Sequence, residues 1–470
     1  MTSPMDLVLQ HYRFPFEFHG FQKDTVNELA YLERTGCFMD VGTGKTCVAT
    51  AMGLYKALEN EIDQIVVLMP PILLDQWEEW FSELKIDVLK YAGSPAKRRS
   101  MDLGTDVVLM SFGIFKNDFD RITKFYKDRG VFLIVDEAAA LRNPGTLTFK
   151  AVRDFMELPQ KQCTLLTGTA INRPHHVYGY VKIKTPNVYR DYRQFKSIHI
   201  ISTDIFGEPN AFARLDLLQE SLMLNSVVVK ADEVLDLPPI TYAPVVYDLG
   251  AKHKKLYDKV VEEKLVVLDD GEVIDGTVQQ RLYNAVQRVI LKPASFGGDK
   301  IQPAGFALID ALADELGMFS SSGEKLVIYV NYRESNQAVF DYVSAIKNLT
   351  PIQAYGEVGA AGNLRNIKRF LTEPEINVGV FHPGSVGIGM NLQHVCRACL
   401  FLELPLTSNI FTQAIGRFHR EGQKRNVVVK FGIAKGTIQQ TLQRRVVRKE
   451  DEIQQIMPTR ETLRKALFGQ

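Results

Sequence analysis

Short apolar runs of strand length alternate with amphipathic, helix-length segments along most of the chain. In the first half the runs are Cys37–Met39, Ile65–Met69, Val107–Met110, Val131–Val135 and Cys163–Leu166. Helical periodicity separates them, as over Thr46–Glu59 and Ile72–Leu84. This alternation predicts a parallel sheet flanked by helices. From about Asn187 to Gly323 the periodicity turns mostly helical, as in Phe212–Asn225, His253–Leu265 and Val278–Leu291. Alternation resumes with Leu326–Val330, Pro351–Tyr355, Val378–Phe381, Cys399–Leu402 and Val427–Phe431. The fold class expected is therefore α/β, two parallel-sheet lobes with helical insertions between them. The expected division is a first lobe over 1–186, helical protrusions and a linker over 187–323, a second lobe over 324–435 and basic helices over 436–470. Leu237-Pro238-Pro239 and Ser320–Gly323 mark boundaries by composition.

Composition narrows the class. The 470 residues give a prior of two to four domains, and 46% hydrophobic with 24% charged residues describes ordinary globular domains. No apolar run approaches the roughly 18 residues of a membrane span. Met1–Gln10 lacks a basic segment followed by an apolar one, so no secretory signal and no membrane partner are expected. A net charge of +1 excludes a histone-like polycation but leaves room for a local basic groove. The tail is locally basic, with Lys435, Arg444, Arg445, Arg448, Lys449, Arg460, Arg464 and Lys465. A solvated helical face explains that tail as well as nucleic-acid contact does. Five cysteines are too few for a disulfide framework. Cys396 and Cys399 lack a second Cys/His pair at zinc spacing and read as small core hydrophobes.

Three segments carry chemistry. Asp40-Val41-Gly42-Thr43-Gly44-Lys45-Thr46 lies between an apolar strand and an amphipathic helix. Glycines there let backbone N–H groups surround phosphate oxygens, with Lys45 reaching the β/γ-phosphates and the Thr46 hydroxyl on Mg²⁺. The general phosphate-loop pattern places a glycine five residues before Gly44, where this chain has Met39. Val131–Val135 delivers Asp136 and Glu137 to a strand's carboxyl end. Asp136 suits the Mg²⁺ shell, and Glu137 suits orienting and deprotonating an attacking water. Gln413–Gln423 ends a predicted helix, so Arg417 and Arg420, one turn apart, are expected on one face. Paired guanidinium groups fit the charge that develops on a γ-phosphate; isolated from the other segments, they would read as surface ion-pairing groups.

In order along the chain these segments resemble helicase superfamily two, and most of all its Swi/Snf-type DNA translocases. Phe18-His19-Gly20-Phe21-Gln22 resembles that family's adenine-recognising segment, and Asp40–Thr46 its D-x-G-x-G-K-T loop. Val67-Leu68-Met69-Pro70 with Gln76-Trp77, Tyr91–Ser94 and Val108–Phe112 resemble motifs at the nucleic-acid groove. Asp136–Ala139 with Leu141-Arg142-Asn143, then Leu165–Asn172, resemble D-E-A-H…K-N and L-L-T-G-T-P. Val386–Gln393 resembles G-x-G-x-N-L, and Gln413–Gln423 resembles Q-A-x-x-R-x-H-R-x-G-Q. The resemblance spans about Phe18 to Lys449. Ala139 replaces the expected histidine, Leu406 a tryptophan and Ala170 a proline.

The resemblance implies RecA-like lobes with ATP and Mg²⁺ bound in a cleft. It places Gln22, Gly42, Thr43, Gly44, Lys45, Thr46, Gly389 and Gln413 at the nucleotide, and Thr46 and Asp136 on the metal. Lys45, Asp136, Glu137, Arg417 and Arg420 are the implied catalytic set. Pro70, Ser111, Arg142, Asn143, Thr167, Thr169 and Asn391 are the implied nucleic-acid contacts. Roughly 150 residues between Thr169 and Lys325 exceed an ordinary loop and agree with the helical protrusions of the Swi/Snf type. The function expected is translocation on double-stranded DNA without strand separation, the chain acting as a monomer. A strand-separating helicase on DNA or RNA, single strands included, and a non-catalytic ATP-gated scaffold stand as alternatives. Extra domains typical of chromatin remodellers have no space in 470 residues, and His382–Ser385 resembles the phage and bacterial branch. A cytoplasmic motor of a bacterial or phage-infected cell is therefore expected.

Overall fold

The computed structural model of the chain describes residues 2–168, 173–203, 209–269, 286–320, 323–386, 391–405 and 408–440. They divide into two compact units, one up to Leu235 and one from Asp236. Each is a RecA-like α/β lobe built on one parallel sheet.

The first unit's strands are β1 (Arg34–Met39), β2 (Gln64–Met69), β3 (Val88–Lys90), β4 (Val107–Ser111), β5 (Val131–Val135), β6 (Lys161–Leu166) and β9 (Ser226–Val229). They lie in the order β3-β4-β2-β5-β6-β1-β9. A separate antiparallel pair joins β7 (Ile200–Thr203) to β8 (Pro209–Phe212). The helix Lys45–Leu58, which follows β1, is buried along Cys47–Lys56 because it runs between the sheet and the N-terminal helices Pro4–His11 and Gly20–Leu29. Even its Lys56 is enclosed, and Nζ reaches Glu61 at 3.1 Å.

The second unit's sheet has the order β10-β15-β14-β11-β13-β12. Here β10 is Ile240–Tyr247, β11 Leu326–Tyr329, β12 Pro351–Ala354, β13 Val378–Phe381, β14 Ala398–Phe401 and β15 Val427–Ala434. Successive residues of β11 enter opposite cores: Val327 and Tyr329 pack with Phe381, Phe401 and Phe418, whereas Leu326 and Ile328 pack with Leu291, Ile309 and Val343. Strands buried on both faces need apolar side chains at every position, which explains the unbroken runs in the sequence.

The middle of the chain departs from expectation. Segment 187–323, where helical protrusions and a linker are expected, also gives a strand to each sheet. Strand β9 pairs with β1 from Gly36↔Ser226 to Met39↔Val229, and β10 pairs with β15 from Ile240↔Val427 to Tyr247↔Ala434. The division between units accordingly falls beside Leu237-Pro238-Pro239. Strand β10 escaped notice because it carries Pro244, which cannot donate to a ladder; its place at the sheet edge makes that tolerable. Helices Leu215–Met223 and Ala251–Asp269 do lie in this region. Much of Val278–Leu291, Ser321 and Ser322, and the tail from 441 onward lie outside the described residues.

One contact fixes the loop after β5. In the helix Val177–Lys184, a methyl group on Gly179 would collide with the Leu141 carbonyl and lie within 3.1–3.2 Å of the Arg142 backbone. Gly179→Ala should cost about 1–3 kcal/mol through overpacking. Urea unfolding checks this, and a loss under about 0.5 kcal/mol would mean the helix shifts freely away from that loop.

Candidate nucleotide-binding site

Strand β1 ends at Met39 and the chain turns through 40–44 into the helix that begins at Lys45. Gly42 and Gly44 both have positive φ, 89° and 82°, a conformation glycine adopts at no steric cost. Gly44 is the N-cap and makes no side-chain cap bond, so this helix start has the form of an anion site. Lys45 Nζ donates to the carbonyls of Met39 (2.7 Å) and Asp40 (2.8 Å). Burial lowers the Lys45 pKa, while Glu137, Asp136 and Asp40 oppose that shift. The lysine and the acid pair are thus within electrostatic reach of one another. Thr46 lies in the first turn, half-buried. Gln22 is nearly enclosed at 4% exposure; Nε2 donates to the Thr43 carbonyl at 2.9 Å and Oε1 accepts from His19 N–H at 2.9 Å. It anchors the phosphate loop to the helix Gly20–Leu29.

The glycine missing at Met39 has a spatial counterpart. A side chain on Gly168, just after β6, would stand 3.3 Å from the Met39 carbonyl and 3.4 Å from Lys45 Nζ. Close approach is needed there, and the neighbouring strand's end supplies it.

Strand β5 brings in the acids. Asp136 N–H continues the ladder to the Leu68 carbonyl at 2.8 Å. Its Oδ1 accepts from Glu137 N–H at 2.9 Å and its Oδ2 from the Trp77 indole at 2.8 Å. Glu137 adopts a left-handed conformation (φ 53°, ψ 51°), which costs a non-glycine residue about 1–3 kcal/mol and concentrates at functional sites. Because β5, β6 and β1 are neighbours, Asp136–Glu137, Thr167–Gly168 and Asp40–Lys45 leave the sheet at one carboxyl edge, where parallel sheets bind ligands. Among the described residues no cluster of three or more His, Cys, Asp or Glu could hold a metal. Asp136 and Thr46 offer one carboxylate and one hydroxyl, the hard-oxygen donors that would suit Mg²⁺ shared with nucleotide phosphates.

The residues expected at nucleic acid sort by exposure. Pro70 is half-buried at the start of the turn Pro71–Leu73, and Asn143 is exposed with Oδ1 accepting from Gly145 N–H at 2.8 Å. Ser111, Arg142 and Thr167 are buried. Ser111 Oγ caps the helix Phe112–Asn117 through Ile114 N–H (3.3 Å), and Arg142 Nε donates to the Tyr180 hydroxyl at 3.1 Å. Thr169, with Ala170, lies outside the described residues.

In the second unit, Asn391 is exposed and Gln413 half-buried on the helix Ser408–Ile415; Gly389 and Leu406 lie outside the described residues. The arginines require a correction. The helix ends at Ile415, and Arg417 and Phe418 bond three residues back, to Ala414 and Ile415. Arg417 therefore sits on a turn and Arg420 on a bend beyond the helix, and helical spacing does not place them on one face. Fully buried Phe418 pulls this segment into the core, leaving Arg417 at 6% exposure and Arg420 half-buried, its pKa lowered by burial.

Three features have no cue in periodicity or spacing. Gln423 is a buried hub: Nε2 donates to the carbonyls of Gln393, Cys396 and Phe418 at 3.1–3.3 Å, and Oε1 accepts from Lys424 and Arg425 N–H at 3.1 Å. Asn331, Tyr332, Arg333, Asn336, Tyr355 and His382 line a cavity of about 260 Å³ at the carboxyl ends of β11, β12 and β13. Trp77, expected at the nucleic-acid groove, turns its indole onto Asp136 instead. A buried glutamine and a tryptophan beside an acid leave no spacing signature; the family motif was the only cue to either.

A phosphate loop coupled to an acid pair at the carboxyl edge of a RecA-like sheet defines the class of P-loop nucleotide-binding lobes. Residues 21–290, more than half of the chain, match the SNF2-related domain, and the chain belongs to that family. It is 25% identical over 452 residues to chromodomain-helicase-DNA-binding protein 1-like of Mus musculus, covering 92% of this chain and 49% of that protein. It is 22% identical over 510 residues to TATA-binding protein-associated factor MOT1 of Saccharomyces cerevisiae, covering 90% and 26%. The chain thus spans about half or less of these relatives. Among solved structures it is similar to the Sulfolobus solfataricus SWI2/SNF2 ATPase core in complex with dsDNA, with 19% identity, 95% and 98% coverage and a TM-score of 0.44.

A buried carboxylate in the second unit gives a pH test. Glu403, fully enclosed after β14, accepts from Asn331 N–H (2.7 Å), Tyr332 N–H (3.2 Å) and the Ser335 hydroxyl (2.6 Å). Burial raises its pKa from 4.5 to about 7 despite those bonds and Arg288. The folded chain then holds a proton that the unfolded chain releases, so stability should fall as pH rises from about 4.5 to about 7. Glu403→Gln should flatten that fall. Urea midpoints at pH 5 and pH 7.5 measure it, and equal slopes in both proteins would refute the assignment.

Proposed function

We propose that the chain is an ATP-hydrolysing motor that moves along double-stranded DNA without separating its strands. The carrying observation is the convergence of the loop that holds Lys45, after β1, with Asp136 and Glu137, after β5, at one carboxyl edge of the sheet. Membership of the SNF2-related domain family supports the same reading. Lys45 and the loop Gly42–Thr46 bind the triphosphate, Gln22 orients that loop beside the adenine, and Asp136 with Thr46 would hold Mg²⁺. When bound there, the ion would supply positive charge to offset that of the phosphates. Glu137 orients the attacking water and takes its proton. Arg417 and Arg420 supply positive charge to the γ-phosphate during turnover, with Gly389 and Gln413 completing the nucleotide contacts. Pro70, Asn143 and Asn391, the members of the nucleic-acid set that are not buried among the described residues, bear on the phosphate backbone and hold it without reading sequence. The reading extends to a monomeric, cytoplasmic motor of bacterial or phage type, for which His382–Ser385 is the sequence cue.

Strand separation uses the same chemistry, so the decisive contrast is mechanical. The chain should displace the third strand of a triplex and leave a forked duplex paired; unwinding the fork without triplex displacement would overturn the translocase reading. Steady-state ATPase should rise with duplex DNA and vanish in Lys45→Ala. Arg417→Ala should lower the rate by roughly 10³–10⁵ while nucleotide affinity stays nearly constant. Turnover that is absent, or indifferent to nucleic acid, favours the ATP-gated scaffold.

A further inference from the structure

We propose that Trp77 is a positioning residue that orients the Mg²⁺ carboxylate Asp136 and couples it to the nucleic-acid-facing segment after β2. The inference rests on the nucleotide-site reading above. Trp77 lies on the helix Leu74–Glu83, 2% exposed, its ring stacked on Phe81 with centroids 5.7 Å apart. A buried indole N–H needs an acceptor, and a neutral carbonyl would satisfy it. Here it meets a carboxylate oxygen of Asp136 at 2.8 Å, a shorter and stronger charge-assisted bond. With Oδ1 already taking the Glu137 N–H, the two bonds fix the plane of the carboxylate.

The same structural unit grips Asp136 twice. Its backbone N–H donates to Leu68 near the end of β2, and its side chain accepts from Trp77 nine residues later. Between these two points lie Pro70 and the turn Pro71–Leu73, the stretch proposed to face nucleic acid. A displacement of that stretch therefore moves the group that orients the metal-binding oxygen. Partners behind a metal ligand typically change metal affinity or activity by about 10–100-fold when removed.

Equilibrium binding of a fluorescent ADP, with Mg²⁺ and with EDTA, isolates this effect from turnover. In the wild type Mg²⁺ should tighten binding. Trp77→Phe, which keeps a ring but loses the N–H, should reduce that gain about tenfold and leave the EDTA affinity unchanged. Trp77→His, which restores a ring donor, should recover part of it. Duplex stimulation of the ATPase should shrink in Trp77→Phe by a similar factor. Trp77 and Trp80 are the chain's two tryptophans, so Trp80→Phe makes Trp77 the sole indole reporter, and its emission should change when Mg²⁺·ADP binds. That variant keeps the test independent of how well Trp77→Phe folds. A full Mg²⁺-linked gain in folded Trp77→Phe, or an unresponsive Trp77 signal where nucleotide binds, overturns the positioning role. A reduced gain with unchanged duplex stimulation overturns the coupling. A wild type that binds no nucleotide overturns the nucleotide site itself, a separate and visible outcome.

Discussion

One ammonium group organises the first unit. Lys45 Nζ is enclosed by the carbonyls of Met39 and Asp40 and by the field of Asp136 and Glu137, in a setting whose burial works against its charge. A cation so placed is tolerated only where negative potential converges. The parallel sheet produces that convergence. Strands β1, β6 and β5 run side by side, so three loops distant in sequence reach one edge together. Asp40 Oδ2 extends the network by accepting from Ala231 N–H at 3.1 Å, which ties the phosphate loop to the strand β9 that closes this side of the sheet.

In the second unit two buried side chains, Gln423 and Glu403, each tie loops together through several hydrogen bonds. Gln423 satisfies backbone groups on both sides of the turn that carries Arg417 and Arg420, so it fixes a region without regular hydrogen bonding. His419 Nε2 bonds the Pro238 carbonyl at 2.8 Å and ties the same turn to the start of the unit. Glu403 does for the turn after β11 what Gln423 does here, with the added dependence on proton occupancy.

The buried centre of each sheet was legible in the sequence because two-sided burial demands continuous apolar runs. Val131–Val135 and Val378–Phe381 were read to the residue. Strands with weaker demands were not. β3 is three half-buried residues, β9 is four residues beside helical patterns, and β10 alternates and contains proline. The phosphate loop and the acid pair were legible because strand, loop and helix are contiguous. The placement of Arg417 and Arg420 was not, since the regular helix stops at Ile415 and local spacing does not reveal where a helix ends. Ser111, Arg142 and Thr167 show the same limit, because a motif names a residue without saying which way it faces.

The position of Gly168 has a wider consequence. Sequence patterns for phosphate loops count residues along one strand–loop–helix segment, yet the requirement here is a clearance between two strands, met by a residue 129 positions from Met39. A side chain at 168 would crowd the Met39 carbonyl, the Val41 N–H and Lys45 Nζ, so the clearance serves the loop's backbone and its ammonium group. A search keyed to the missing glycine alone will therefore pass over chains that leave room for the binding loop through residue 168.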